Sequence, residues 1–195
     1  EVMNCTNAWI KGKGLADVKT PIQGRGDDTK LFYNCFLRIT GVEDKLIYMN
    51  ELYQFQLELK NSGRKLVIVD KEIVTPDAQE ISAIQRKNYA RQEDMIMDLS
   101  ANIRYSANDE LQRIMVKAFV DTILEEAKQP GISLNKLTNK AVILLCWLKR
   151  YQEKLFHNWK FPEIGVFLYM GGCNNENEAM FHRFLARMPL DVVIF

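Results

Sequence analysis

The stretch IGVFLYMGGCNNENEAMFHRFLARMPLDVVIF, residues 164–195, decides the fold class. Ile164 to Met170 is an apolar run of strand length. Gly171-Gly172-Cys173-Asn174-Asn175-Glu176 reads as a polar turn. From Glu178 to Met188 the spacing is helical, with Phe181, Phe184, Leu185 and Met188 on one face. Pro189 stops that helix, and Leu190 to Phe195 is a second strand of the buried type. Strand, turn, helix, strand is a β-α-β unit, which builds parallel sheet.

The same grammar recurs upstream. Leu31 to Thr40 reads as a strand, 41–44 as a turn, Lys45 to Asn61 as a helix and Lys65 to Asp70 as a strand, which together make a first unit over 31–75. Phe36 to Gly41 can be laid over Phe167 to Gly172, a match that duplication and two ordinary β-α-β units explain equally well. Between the units, 76–160 reads as a helical insertion. Helices are expected at about 76–87, 89–104, 108–128 and 136–157. Thr75 would cap the first, with Pro76 at its first position. The fourth carries Ala141 to Leu148, apolar on nearly all sides, and so belongs at the centre of the block. Residues 1–30, with recurrent glycines and Pro21, read as an irregular arm. The fold class expected is α/β: Rossmann-like β-α-β units forming a mostly parallel sheet, with a large helical insertion or subdomain, all within one domain. The chain starts at Glu1 and ends on a strand, so a piece of a longer protein is expected.

Composition narrows the function classes. Of the 195 residues, 47% are hydrophobic, enough for a sizeable core. Lys and Arg number 26 against 25 Asp and Glu, a net charge of +1. That balance gives no clear signal for nucleic acid. The longest apolar run, Ala141 to Leu148, is far short of the roughly 20 residues that cross a bilayer, so no membrane partner is expected. The four cysteines are widely spread, without metal-ligand spacing. They read as reduced thiols of a cytoplasmic protein. No metal site is expected, and the residues specify no cofactor.

Ligands of parallel sheets bind outside the carboxyl ends of the strands. The turns Thr40 to Asp44 and Gly171 to Glu178 fall there if both units share a sheet. Gly171 and Gly172 let backbone N–H groups approach a ligand. Cys173, before a helix, is a candidate nucleophile, or else a small residue filling a tight turn. Glu176 is a candidate acid–base and Glu178 a candidate ligand-binding group; the first reading of both is an acidic helix start, which the helix dipole favours. Glu43 takes the same two readings. Asn174 reads as a helix cap first and a ligand contact second. In Gly24-Arg25-Gly26-Asp27-Asp28, Arg25 could hold a phosphate and Asp27 a cation, the alternative being a solvated turn. His182 reads as a packed or surface histidine, and Trp147 and Trp159 as core aromatics.

Two stretches, Thr20 to Cys35 and Met170 to Phe195, resemble a bacterial family, with support from Gly41 to Lys45 and Asn50 to Lys60. This is the YceG-like group, described as a component of a biosynthetic module and associated with tellurite-resistance and stress-response proteins. The resemblance implies a context and no reaction, so it assigns no residue a role. Two functions are expected from different classes. One is a module component that binds or transforms a nucleotide- or phosphate-bearing metabolite. The other is a noncatalytic binding or assembly module with stress-response protein partners.

Overall fold

The structure is a computed structural model, and it describes residues 3–4, 12–26, 31–41 and 43–195. Among the described residues, six strands run in chain order: β1 (Met3–Asn4), β2 (Leu31–Phe32), β3 (Phe36–Arg38), β4 (Leu66–Val69), β5 (Gly165–Tyr169) and β6 (Leu190–Ile194). The described residues also form seven α-helices: α1 (Leu15–Lys19), α2 (Lys45–Asn61), α3 (Ala78–Ile84), α4 (Gln92–Ser100), α5 (Asp109–Glu126), α6 (Leu134–Phe156) and α7 (Glu176–Ala186). The main sheet has four strands in the order β3-β6-β5-β4, all parallel. The protein is thus a mixed α/β fold built on a parallel sheet.

Period-two alternation divides the sheet into two buried faces. Val166, Leu168 and Val193 pack with Val18, Phe55 and Leu59 of α1 and α2. Val67, Phe167, Tyr169, Val192 and Ile194 face the opposite way, into a core shared with α4 to α7. Helix α6 carries the longest buried stretch, with every residue from Lys140 to Leu148 buried, as its all-round apolarity requires. Trp147 and Trp159 are both core residues. The rings of Phe167 and Phe181 meet edge to face at 6.0 Å, and those of Trp147 and Phe181 at 5.5 Å, tying β5, α6 and α7 together.

The first β-α-β unit is not a pair of neighbouring strands. β3 and β4 are the two edges of the sheet, and β5 and β6 lie between them. Helix α2 therefore crosses the whole of one face, whereas α7 links adjacent strands on the other. The two units occupy different topological places, so the short sequence match does not correspond to equivalent structure.

Local polar chemistry moves several expected boundaries. The Asp77 side chain accepts from the Glu80 N–H at 2.8 Å and the Glu80 side chain accepts from the Asp77 N–H at 3.0 Å. This reciprocal box starts α3 at Ala78, so Asp77 is the cap in place of Thr75. The expected strand over Leu31 to Thr40 breaks at 33–35. Asn34 is fully buried there, and its amide donates to the carbonyls of Ala186 (2.8 Å), Met188 (3.1 Å) and Leu190 (2.8 Å). One side chain thus closes the turn from α7 into β6, at the cost of strand continuity. The arm expected over 1–30 holds α1 and a 3₁₀ turn at Ile22–Gly24.

Candidate functional site

Because every strand of the main sheet is parallel, the turns after β3 and β5 lie at the same carboxyl edge. From β3 the chain leaves for α2 on one face, and from β5 it leaves for α7 on the other. Between them ends β6. Opposite departures on either side of a strand mark the place, outside its carboxyl end, where open α/β sheets usually bind ligands.

The turn after β3 carries Gly41, in the left-handed region at φ 77°, and the exposed Glu43. Asp44 caps α2, its Oδ1 accepting from the Leu46 and Ile47 N–H groups at 2.8 and 3.0 Å. The turn after β5 is tighter. A Cβ on Gly171 would stand 2.5 Å from the Tyr169 ring and 2.6 Å from the Lys71 backbone, so only glycine fits. Gly172 and Cys173 both take positive φ, 85° and 51°. Gly171→Ala is accordingly expected to cost about 2 kcal/mol through overpacking. A urea-unfolding midpoint equal to that of the unsubstituted protein would contradict this packing.

Asn174 is exposed, and its Nδ2 lies 3.3 Å from Glu72 Oε1, which joins the turns after β4 and β5. The cap of α7 is the next residue: Asn175 Oδ1 accepts from the Glu178 N–H at 2.9 Å. Cap placement depends on where the helix begins, and α7 begins at Glu176, two residues earlier than the apolar spacing indicates. Glu176 is exposed and reaches back to Lys140 at 3.0 Å, whose ammonium also pairs with the buried Glu126 at 2.8 Å. The lysines Lys140 and Lys136 hold the Glu176 carboxyl below its usual range.

Glu178 is fully buried. Its Oε1 accepts from the Ile73 N–H at 2.8 Å and from the Tyr169 hydroxyl at 2.5 Å, while its Oε2 is buried without a hydrogen-bond partner. One carboxylate thereby pins the loop after β4 and the end of β5 to α7. Burial, then the Glu178 carboxylate, pushes the Tyr169 phenol well above its usual range. His182, four residues along α7, is fully buried and lies against the Tyr169 ring at 4.4 Å between centroids. Its Nδ1 is 3.5 Å from Cys173 Sγ, and its Nε2 has no hydrogen-bond partner among the described residues. Burial lowers the His182 imidazole to about 4. Burial, with the Glu178 charge adding, raises the Cys173 thiol, while Arg38 and Arg183 oppose the rise. Cys173 and His182 thus rest as a thiol beside a free-base imidazole.

Arg25 lies elsewhere. It is fully buried near the amino end of β6, its guanidinium bidentate on Asp191 at 2.8 and 2.8 Å. It also donates to the carbonyls of Thr20 (2.9 Å) and Val18 (2.7 Å). Arg64 joins the same carboxylate at 2.6 Å, and the Cys35 N–H donates to it at 2.8 Å. Burial, then Asp191, pushes the Cys35 thiol up to about 12, so this thiol stays protonated. Arg25 and the Gly171–Glu178 turn therefore stand at opposite edges of the sheet. Asp27 lies outside the described residues. Asp191 had a sequence signal of its own, a lone acid inside the apolar run 190–195, but no pattern pairs it with an arginine 166 residues away.

A cleft of about 450 Å³ opens at the amino edge, lined in part by Arg64, Lys65, His157 and Trp159. Its strongest polar groups are already engaged. Arg64 serves Asp191, and Lys65 pairs with Glu163 at 2.8 Å. The carboxyl edge is the better candidate by its topology and by the part-exposed thiol of Cys173. Among the described residues, no group of three or more His, Cys, Asp or Glu is placed to hold a metal ion, and no helix is long and apolar enough to cross a membrane.

The pattern that defines the YceG domain matches residues 13–195. The chain belongs to the YceG domain family. No curated protein and no solved structure matches it. The part of the chain matched to the YceG domain includes both carboxyl-edge turns, the Glu178–His182 cluster and the Arg25–Asp191 pair.

Proposed function

We propose that this YceG domain binds a phosphate-bearing metabolite, with a nucleotide as the first choice, at the carboxyl end of β6. The reading treats the parallel strands and their crossover helices as Rossmann-like units. It places the domain in a biosynthetic module of the bacterial stress response, in the tellurite-resistance context that its family resemblance implies. The observation that carries it is the opposite departure of the chain after β3 and after β5, which leaves two glycine-bearing turns and two helix N-termini flanking one strand end. Arg38 stands exposed at the end of β3 on the same edge, near enough for its charge to act on Cys173.

Calorimetry and thermal shift with ATP, GTP and a sugar nucleotide, each with Mg²⁺, test the reading. At least one should stabilise the domain, by about 2.7 kcal/mol at a hundredfold excess over its dissociation constant. Arg38→Glu should weaken that ligand about tenfold, equivalent to about 1.4 kcal/mol. Absence of stabilisation by all three overturns the proposal.

A second reading, an assembly module with stress-response protein partners, has one observation in its favour. Leu46, Met49 and Tyr53 repeat at helical spacing on α2 with exposures of 82%, 53% and 59%. A stable partner that is lost on Leu46→Asp but retained on Arg38→Glu would favour it.

A further inference from the structure

We propose that Cys173 is a nucleophile activated by His182, and that it accepts an acyl group carried on a phosphate. The inference rests on the phosphate-site reading only for the identity of the substrate; the thiol–imidazole pair stands on its own geometry.

Three observations converge on this pair. Cys173 is one of two described non-glycine residues at positive φ, a conformation that costs energy and is held only where its surroundings enforce it. Its thiol is part-exposed at the carboxyl edge, whereas Cys35 and Cys146 are buried. Its Sγ meets Nδ1 of a fully buried histidine that has no other hydrogen-bond partner among the described residues. A buried, otherwise unpartnered imidazole directed at an accessible thiol is the nucleophile–base relation in its simplest form. Tyr169 and Glu178 supply the frame. The Cys173 backbone N–H lies against the Tyr169 hydroxyl, which in turn donates to Glu178. That chain fixes the turn on α7, the helix that also carries His182.

The step balances without an oxidant. Sγ attacks the carbonyl carbon of an acyl phosphate as the thiol proton passes to Nδ1. The carbonyl pair moves to oxygen and returns as the carbon–oxygen bond to phosphate breaks. Phosphate leaves with the electron pair of the broken carbon–oxygen bond, Cys173 is left as a thioester, and His182 gives up its proton to phosphate or solvent. The exposed N-terminus of α7, which starts three residues on from Cys173, places positive dipole character near the developing oxyanion. The charged and titratable groups around the pair are Glu178 and Arg183 from α7, Tyr169 from β5 and Arg38 from β3.

Two measurements on the intact chain test it. In the first, iodoacetamide alkylation of Cys173 is followed by peptide mass against pH. A free thiol loses reactivity about tenfold per pH unit below its pKa of roughly 8.5. A thiol assisted by a neutral imidazole should hold its rate nearly level from about pH 8 down to about pH 5. His182→Phe, which keeps ring and volume, should restore the tenfold slope. In the second, acetyl phosphate should add one acetyl group to Cys173, at a rate at least about tenfold lower in His182→Phe. A tenfold-per-unit slope in the unsubstituted protein overturns the nucleophile, whatever His182→Phe does. A level profile without acetylation keeps the nucleophile and overturns the acyl phosphate. Nucleotide binding with a steep profile separates the failure of this proposal from that of the binding reading.

Discussion

Asp191→Ala is expected to destabilise the domain by about 3–5 kcal/mol, the cost of breaking a buried ion pair by removing one partner. Asp191 is fully buried and receives two N–H groups from Arg25, one from Arg64 and one from the Cys35 backbone. Truncation removes the carboxylate that both guanidinium groups bond, at a place where Arg25 is fully buried. Asp191→Asn should cost less, because an amide oxygen still accepts one of these bonds. Urea unfolding reads the effect as a fall in midpoint at unchanged slope. A change below about 1 kcal/mol in Asp191→Ala would mean that the triad is no more than a surface-type ion pair.

The second large effect is a pH dependence carried by His182. Burial holds the folded imidazole at about 4, against an ordinary value near 6.5. As pH falls through 6.5 the unfolded chain takes up a proton that the folded chain refuses. Stability is therefore complete above pH 6.5, is lost progressively between 6.5 and 4, and levels off below. The whole loss is about 3 kcal/mol. His182→Phe removes the titration and keeps the contacts with Tyr169 and Phe167. The stability difference between the two proteins should accordingly shift toward the variant by about 3 kcal/mol from pH 7 to pH 4. Parallel pH profiles would show that His182 is solvated in the folded state.

These effects arise at places the chain disclosed unevenly. Helices α5 and α6 were legible because an amphipathic or all-apolar pattern over five or six turns has a single interpretation. The strand 165–169 was legible for a similar reason, since five consecutive buried residues between turn signals leave little choice. The break at 33–35 was not, because Asn34 is explained by three carbonyls more than 150 residues away. Within the site, the glycines, Cys173 and the acidic start of α7 could be named from the turn alone. His182 could not be joined to Cys173 until the helix had a register, and Glu178 could not be separated from Glu176 until one pointed into the sheet and the other out.

The sequence by itself determined the type of the longer elements, the parallel strands of the C-terminal unit, the central place of α6 and the turn that holds the candidate thiol. These are local matters, settled by hydrophobic period, by proline and glycine and by helix-capping chemistry over a few residues. Only the tertiary structure decided that β3 and β4 are the sheet edges, that Arg25 belongs to Asp191 and that Cys173 faces His182. Strand order and charge pairing depend on which distant surfaces exclude water from one another, and no local spacing records that.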